Sequence, residues 1–323
     1  MSENELWPRI ELKMVGDWGV ANFHTLVGMI AANMRFRSAP RSRFWILTGT
    51  GFRDNIDAVA RGEVDLGITT PLDVPLEWAR QGKHLFAGRA YPFLRTLGYY
   101  PQDDRLIFAV REDTGIKSFA DIVERKYPLR LATSVRDQDN LLTYVIERAL
   151  AAHGIAPGDI ERWGGQWLGS DRPQSCVAQA VRGEADAVCF EGIMTPGWYE
   201  WVEKAKVRFI PFARDALAAL QRDYGLRPAT LAKGRLGAPE DIPCLDFSHW
   251  AIFVRDDMDE EVAYRITAVL VEHRAEMEAR FRNIPVERSP LTYPIDPQKM
   301  WQGLGAPLHP GAERYYREHG FKR

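Results

Sequence analysis

The feature that most constrains this chain is a stretch that it contains twice. Ala58-Val-Ala-Arg-Gly-Glu-Val-Asp-Leu-Gly-Ile-Thr-Thr-Pro71 returns as Ala180-Val-Arg-Gly-Glu-Ala-Asp-Ala-Val-Cys-Phe-Glu-Gly-Ile-Met-Thr-Pro196, a separation of roughly 120 residues (183 − 62), far beyond a solenoid period. Each copy reads as a helix end, a Gly where the chain turns, an Asp, an apolar strand, and a polar residue and Pro where the strand stops. One α/β unit used once per half predicts two similar lobes. The expected lobes are residues 1–110 with 246–323, and residues 111–245. At 323 residues the chain is long enough for both without disulfides or metal.

The same order recurs around each copy. Ile10, Leu12 and Met14 alternate with charged residues as in a half-buried strand, which runs into Gly16-Asp-Trp-Gly19. Asn22 is placed to cap a helix whose apolar stripe is Leu26, Val27, Ile30, Ala31 and Met34. A strand over 44–47 leads to Thr48-Gly-Thr-Gly51 and a short helix carrying Ile56 and Val59. In the second half, a strand over 129–134, a loop over 135–140 and a helix with Leu141, Leu142, Val145, Ile146, Ala149 and Leu150 repeat that order. Between them lie a helix over 76–81, strands over 93–100 and 106–110, and a helix capped by Ser118 with Asp121 in its first turn. Further on, 163–169 reads as a Gly/Trp-rich loop and 227–241 as an irregular surface excursion. A strand over 250–254 makes the return crossing. One long helical stripe from Val262 through His273 to Phe281 follows, then a short helix over 312–319.

Several function classes are disfavoured by composition. A net charge of −2 leaves no footprint for nucleic acid or an anionic membrane. Cys176, Cys189 and Cys244 form no C-x-x-C spacing, and the seven His are scattered, so no metal and no cofactor is expected. No G-x-S-x-G is present, Gly16-x-x-Gly19 lacks the third Gly of a dinucleotide fingerprint, and residues 48–51 lack a following Lys-Ser/Thr. No stretch reaches 18 apolar residues, and the start of the chain lacks a basic and apolar leader, so the expectation is a cytoplasmic location, or a periplasmic one if a leader was removed.

Loops after parallel strands gather at the carboxyl edge of a sheet, where ligands of open α/β proteins bind. Each such loop here precedes a helix whose free N–H groups favour an anion, so a small organic acid is the expected ligand. The candidate contacts are Asp17, Trp18, Asn22, Thr50, Asn55, Thr69, Thr70, Thr133, Ser134, Arg136, Glu191 and Trp250. Thr69 and Thr70 are expected on one wall and residues 191–194 on the other. If the chain is an enzyme, a decarboxylase or isomerase of an aromatic or dicarboxylic acid, then Asp17, His24, Arg136 and His249 are its acid–base candidates.

The order of pieces resembles the periplasmic-binding-protein type II fold, and most closely the TAXI family of TRAP-transporter solute receptors. The resemblance spans residues 10–321. It rests on Thr50-Gly-Phe-Arg-Asp-Asn55 with Arg61-Gly-Glu-Val-Asp-Leu-Gly-Ile68, on Val110-Arg-Glu-Asp-Thr-Gly-Ile-Lys-Ser-Phe-Ala-Asp121, and on Pro307-Leu-His-Pro-Gly-Ala-Glu-Arg-Tyr-Tyr-Arg-Glu-His-Gly320. It implies two lobes that close on a small carboxylate, and delivery to a TRAP-type membrane permease. Two loops depart from the family. Gly16-Asp-Trp-Gly-Val-Ala-Asn-Phe-His24 replaces a Gly-Ser-x-Gly-Gly-like loop, and Thr133-Ser-Val-Arg-Asp-Gln-Asp-Asn140 replaces a Gly-Ser-Gly-rich one. Asp17 and Arg136 bring charge to sites that amides and hydroxyls usually fill, which implies a different acid or one with a second polar group.

Overall fold

Both copies of the repeat fold as helix, left-handed turn and parallel strand. A computed structural model describes residues 6–19, 21–192 and 196–323. In chain order the first elements are β1 (Glu11–Val15), α1 (Asn22–Arg37), β2 (Arg43–Leu47), α2 (Arg53–Ala60), β3 (Leu66–Thr69), α3 (Val74–Gln81) and β4 (Leu94–Tyr100). The middle of the chain supplies β5 (Arg105–Arg111), α4 (Phe119–Glu124), β6 (Arg130–Ser134), α5 (Leu141–Ala152), α6 (Asp159–Arg162), β7 (Gln166–Ser170), α7 (Pro173–Val181) and β8 (Ala187–Glu191). It continues with α8 (Gly197–Lys204), β9 (Val207–Ile210), α9 (Arg214–Tyr224), β10 (Pro228–Leu231) and β11 (Ile242–Asp246). The last part adds β12 (Trp250–Arg255), α10 (Glu260–Glu272), α11 (Arg274–Phe281) and α12 (Pro310–Glu318).

The chain divides into two units, residues 1–102 with 248–286 and 290–323, and residues 103–247 with 287–289. The first holds a five-stranded sheet in the order β2-β1-β3-β12-β4, and the second a seven-stranded sheet in the order β10-β11-β5-β8-β6-β7 with β9 beside β5. In the first, β1 runs parallel to β2 and β3, while β12 is antiparallel to β3 and β4. In the second, β6 runs parallel to β7 and β8, and β5 is antiparallel to β8. Strand β5, expected on the near side of the crossing, belongs to the second unit because its partners β8, β9 and β11 all lie there.

Apolar periodicity chose the buried faces. Phe23, Leu26, Val27, Ile30 and Met34 of α1 are buried, as are Leu141, Leu142, Val145, Ile146, Ala149 and Leu150 of α5. Helix α4 begins with a full capping box between Ser118 and Asp121.

Four local expectations need correction. Asn22 does not cap α1; Ala21 stands at the cap with no side-chain bond. Residues 166–169, expected as loop, belong to β7, because Arg130 to Ser134 offer that strand a parallel partner. The stretch after Arg227 is not an irregular excursion throughout: β10 pairs antiparallel with β11 from Pro228 opposite Leu245 to Leu231 opposite Ile242. Pro228 is tolerated because it opens an edge strand. The long stripe after Val262 is two helices, parted at His273, whose ring Nδ1 lies 2.7 Å from Glu276 Oε1 instead of packing in a continuous apolar face.

Candidate functional site

Three parallel strands of the first unit end together, β1 at Val15, β2 at Leu47 and β3 at Thr69, and antiparallel β12 starts beside them at Trp250. This carboxyl edge carries Asp17, Trp18, Asn22, His24, Thr50, Asn55, Thr69, Thr70, His249 and Trp250. Most of these residues are already engaged in holding the edge together.

Asp17 is 3 % exposed, and its carboxylate accepts from Phe23 N at 2.9 Å and His24 N at 3.0 Å. It therefore does the capping work expected of Asn22, and takes up two of the α1 amides expected for a ligand anion. Burial raises its pKa from the ordinary carboxylate value, against the lowering effect of these two amides. Asp54, in the first turn of α2, ties down the loop before that helix: it accepts from Thr50 N at 2.7 Å, from Thr50 Oγ1 and from Phe52 N at 3.4 Å. The expectation of open helix N-termini is thus corrected for α1, whose Phe23 and His24 amides face a carboxylate of the chain itself.

Asn55 is fully buried and clamps the edge. Its Nδ2 donates to Gly16 O at 2.9 Å and Ile68 O at 3.1 Å, which fixes the amide orientation and turns Oδ1 toward Gly49. A Cβ on residue 49 would lie 2.2 Å from that oxygen, so only Gly fits there. His249 is held by the chain: its Nδ1 accepts from Gln102 N at 3.1 Å, and its ring stacks on Tyr99 with centroids 4.6 Å apart. Trp18 and Asn22 are half-buried, and Thr70 is buried before a cis bond to Pro71.

Two donors at this edge have no acceptor. Thr69 and Trp250 are each 0 % exposed, and neither Thr69 Oγ1 nor Trp250 Nε1 has a hydrogen-bond partner among the described residues. They sit at the same end of neighbouring strands; because Ala251 is opposite Thr69, Trp250 lies one position along and its side chain leaves the other face of the sheet. Trp250 is set edge-on against Phe23, centroids 5.9 Å apart. His24 Nδ1, in the first turn of α1, is also buried without a partner.

The second unit has its own carboxyl edge, made by Ser134, Ser170 and Glu191 at the ends of β6, β7 and β8, with Asp104 just before antiparallel β5. Thr133 Oγ1 donates to Cys189 O at 2.9 Å, and Ser134 Oγ accepts from Asn140 Nδ2 at 2.9 Å. Arg136 is committed to its own unit: Nε reaches Glu147 at 3.1 Å, Nη1 pairs with Glu161, and the guanidinium lies 4.0 Å over the Trp167 ring. Glu191 is 5 % exposed and Asp104 fully buried. Burial first, and the neighbouring Asp104 charge second, raise the Glu191 pKa well above the ordinary carboxylate value. Residues 193 and 194 of the expected second wall lie outside the described residues.

Of the acid–base quartet, Asp17, His24 and His249 belong to the first unit and Arg136 to the second. Asp54 and Asp104 were missed. The signal for Asp54 was present, an acid four residues after Thr50 at a helix start. That for Asp104 was only a polar pair before a strand.

Solved structures share this architecture. A Bordetella bronchiseptica RB50 protein is 10% identical, with a TM-score of 0.52 and coverage of 97% of this chain and 98% of that one. A Xanthomonas citri protein bound to ATP is 18% identical, with a TM-score of 0.50 and coverage of 96% and 98%. The periplasmic aliphatic sulphonate binding protein SsuA of Escherichia coli is 15% identical, with a TM-score of 0.45 and coverage of 97% and 94%. The α/β fold with two sheets is shared with the Bordetella bronchiseptica and Xanthomonas citri proteins. The sequence itself matches the NMT1-like family over residues 46–320, and with most of its length inside that match, the chain belongs to the NMT1-like family.

Proposed function

We propose that this protein is a solute receptor for a small organic acid, whose carboxylate accepts from Thr69 Oγ1–H and Trp250 Nε1–H. The observation that carries this reading is the pair of fully buried donors without acceptors on adjacent strands at a carboxyl edge. Leaving a buried donor unpaired costs about 1–3 kcal/mol, and a carboxylate seated across the strand ends, with one oxygen for each donor, relieves that cost. The donors are neutral, and Asp17 already takes up amides at the start of α1, so recognition here rests on a hydroxyl and an indole. Trp250 and Phe23 beside them suit an acid with an apolar body. Lobe closure on the acid and delivery to a TRAP-type permease, in the manner of TAXI receptors, complete the proposal.

Calorimetric titration with a panel of aliphatic and aromatic mono- and dicarboxylates tests it. At least one acid should bind saturably and remain chemically unchanged afterwards. Silence across the panel contradicts the reading.

A further inference from the structure

Strand β2 is the outermost strand of the first unit's sheet, and it breaks the usual habits of an edge. Natural edges are blunted by Pro, by charge or by a covering element, because a bare strand recruits another. Here Trp45, Ile46 and Leu47 are 39%, 37% and 42% exposed, and Phe36, at the end of the helix leading into the turn before β2, is 76% exposed.

The hydrogen-bond phase of this edge follows from two bonds. Arg43 N donates to Ile10 O at 2.9 Å, and Leu47 O accepts from Gly16 N at 3.1 Å, so Arg43 and Leu47 turn their backbone groups toward β1. In a parallel strand the phase alternates, which gives Trp45 to β1 as well and leaves the N–H and C=O of Phe44 and Ile46 pointing outward. These are two donors and two acceptors in a row, spaced for an added strand.

Charge says what kind of strand. Arg43 opens this strand, Arg41 lies in the turn before it and Arg35 in the last turn of the preceding helix, and none forms an ion pair among the described residues. Nearby Arg37, in contrast, is matched by Glu272 at 2.6 Å and lies 4.1 Å over Trp7. Three unmatched cations disfavour a second copy of the same strand and favour an acidic one. A lipid surface would meet the charge but leave the outward N–H and C=O groups unpaired.

We propose that β2 is a docking edge for an extended acidic segment of a partner protein, which adds as a sixth strand through Phe44 and Ile46 while its carboxylates meet Arg35, Arg41 and Arg43. The exposed Trp45 and Leu47 on one face, and Ile46 on the other, are the apolar contacts for the alternating side chains of that segment.

The test uses the full chain and a synthetic peptide alternating Glu with Val and Ile, beside a counterpart with Lys for Glu. Amide exchange is followed by NMR. In the free protein the Phe44 and Ile46 amides should exchange rapidly and the Trp45 amide slowly. The acidic peptide should protect Phe44 and Ile46, and the Lys peptide should not. Ile46→Pro removes one outward N–H that the sheet does not use and should abolish this protection with the fold intact. Should that variant unfold, Arg41→Glu with Arg43→Glu serves in its place and should weaken the peptide at least about tenfold at low salt. Slow exchange of Phe44 and Ile46 in the free chain, equal binding of both peptides, or binding of anionic vesicles in place of the peptide would each overturn the proposal.

Discussion

The two copies of the repeat are alike where they build and differ where they can bind. In each, a Gly in the left-handed region ends the helix, Gly62 at φ 72° and Gly183 at φ 78°. An Arg–Glu pair then spans the turn, Arg61 to Glu63 at 2.6 Å and Arg182 to Glu184 at 2.7 Å. The Asp that follows ties the new strand to its parallel neighbour through both its backbone and its side chain. Asp65 N donates to Lys13 O at 2.9 Å while Asp65 Oδ2 accepts from Lys13 N at 2.7 Å. Asp186 N donates to Arg130 O at 2.8 Å while Asp186 Oδ2 accepts from Arg130 N at 3.2 Å. At the far end of the strand the likeness stops. Copy one presents Thr69, a buried neutral donor, and copy two presents Glu191, a buried acid beside Asp104. The repeated letters are scaffold, and the letters after them set the chemistry of each edge.

The sharpest way to break the scaffold half of this comparison is to remove the two aspartates in turn. Asp186 also takes the Arg130 guanidinium, Nε at 3.0 Å and Nη2 at 2.6 Å, which Asp65 has no counterpart for at Lys13. Asp186→Ala should therefore cost about 3 kcal/mol and Asp65→Ala about 1 kcal/mol in denaturant unfolding. Equal losses would mean that the tie depends on the shared carboxylate-to-amide bond alone, with nothing added by the Arg130 guanidinium.

A smaller effect sharpens the other half. Glu191 has a folded-state pKa raised above its unfolded value, so the folded protein holds its proton more tightly and this contribution is fully present below the unfolded pKa. It is lost as pH rises from the ordinary carboxylate range, about 4.3, through the folded value. Glu191→Gln should thus narrow the stability gap or exceed the native protein as pH rises, with no such trend for Thr69→Val. Melting temperatures across that range check both, and a parallel pH dependence of the two variants would erase the distinction.

Much of this was legible in the sequence, for reasons that are local. The turn residues of the repeat, the capping box at Ser118 and the apolar stripes of α1 and α5 depend on neighbours within a few positions. What escaped depends on partners far along the chain. Strand β7 contains Gly169 and follows Gly164 and Gly165, and becomes a strand because β6 lies beside it. Pro228 and Pro243 hid β10 and β11, which pair with one another at the edge of a sheet. In the site, Thr69 and Trp250 were legible as residues at strand ends, whereas the capture of α1 amides by Asp17 required the fold of the loop. Arg136 read as a ligand contact or acid–base group, because its partners Glu147 and Glu161 stand 11 and 25 residues away.

The central claim is that Thr69 and Trp250 are donors kept without partners for a ligand carboxylate. The direct measurement is calorimetric binding of the best acid to Thr69→Val, Trp250→Phe and the double variant, with the stability of each unliganded protein. Thr69→Val removes a donor and keeps the shape, whereas Trp250→Phe removes a donor and leaves a cavity, so affinity should fall about tenfold to a hundredfold in each while unliganded stability holds or rises for Thr69→Val and falls for Trp250→Phe. Unchanged affinity in the double variant would contradict the account.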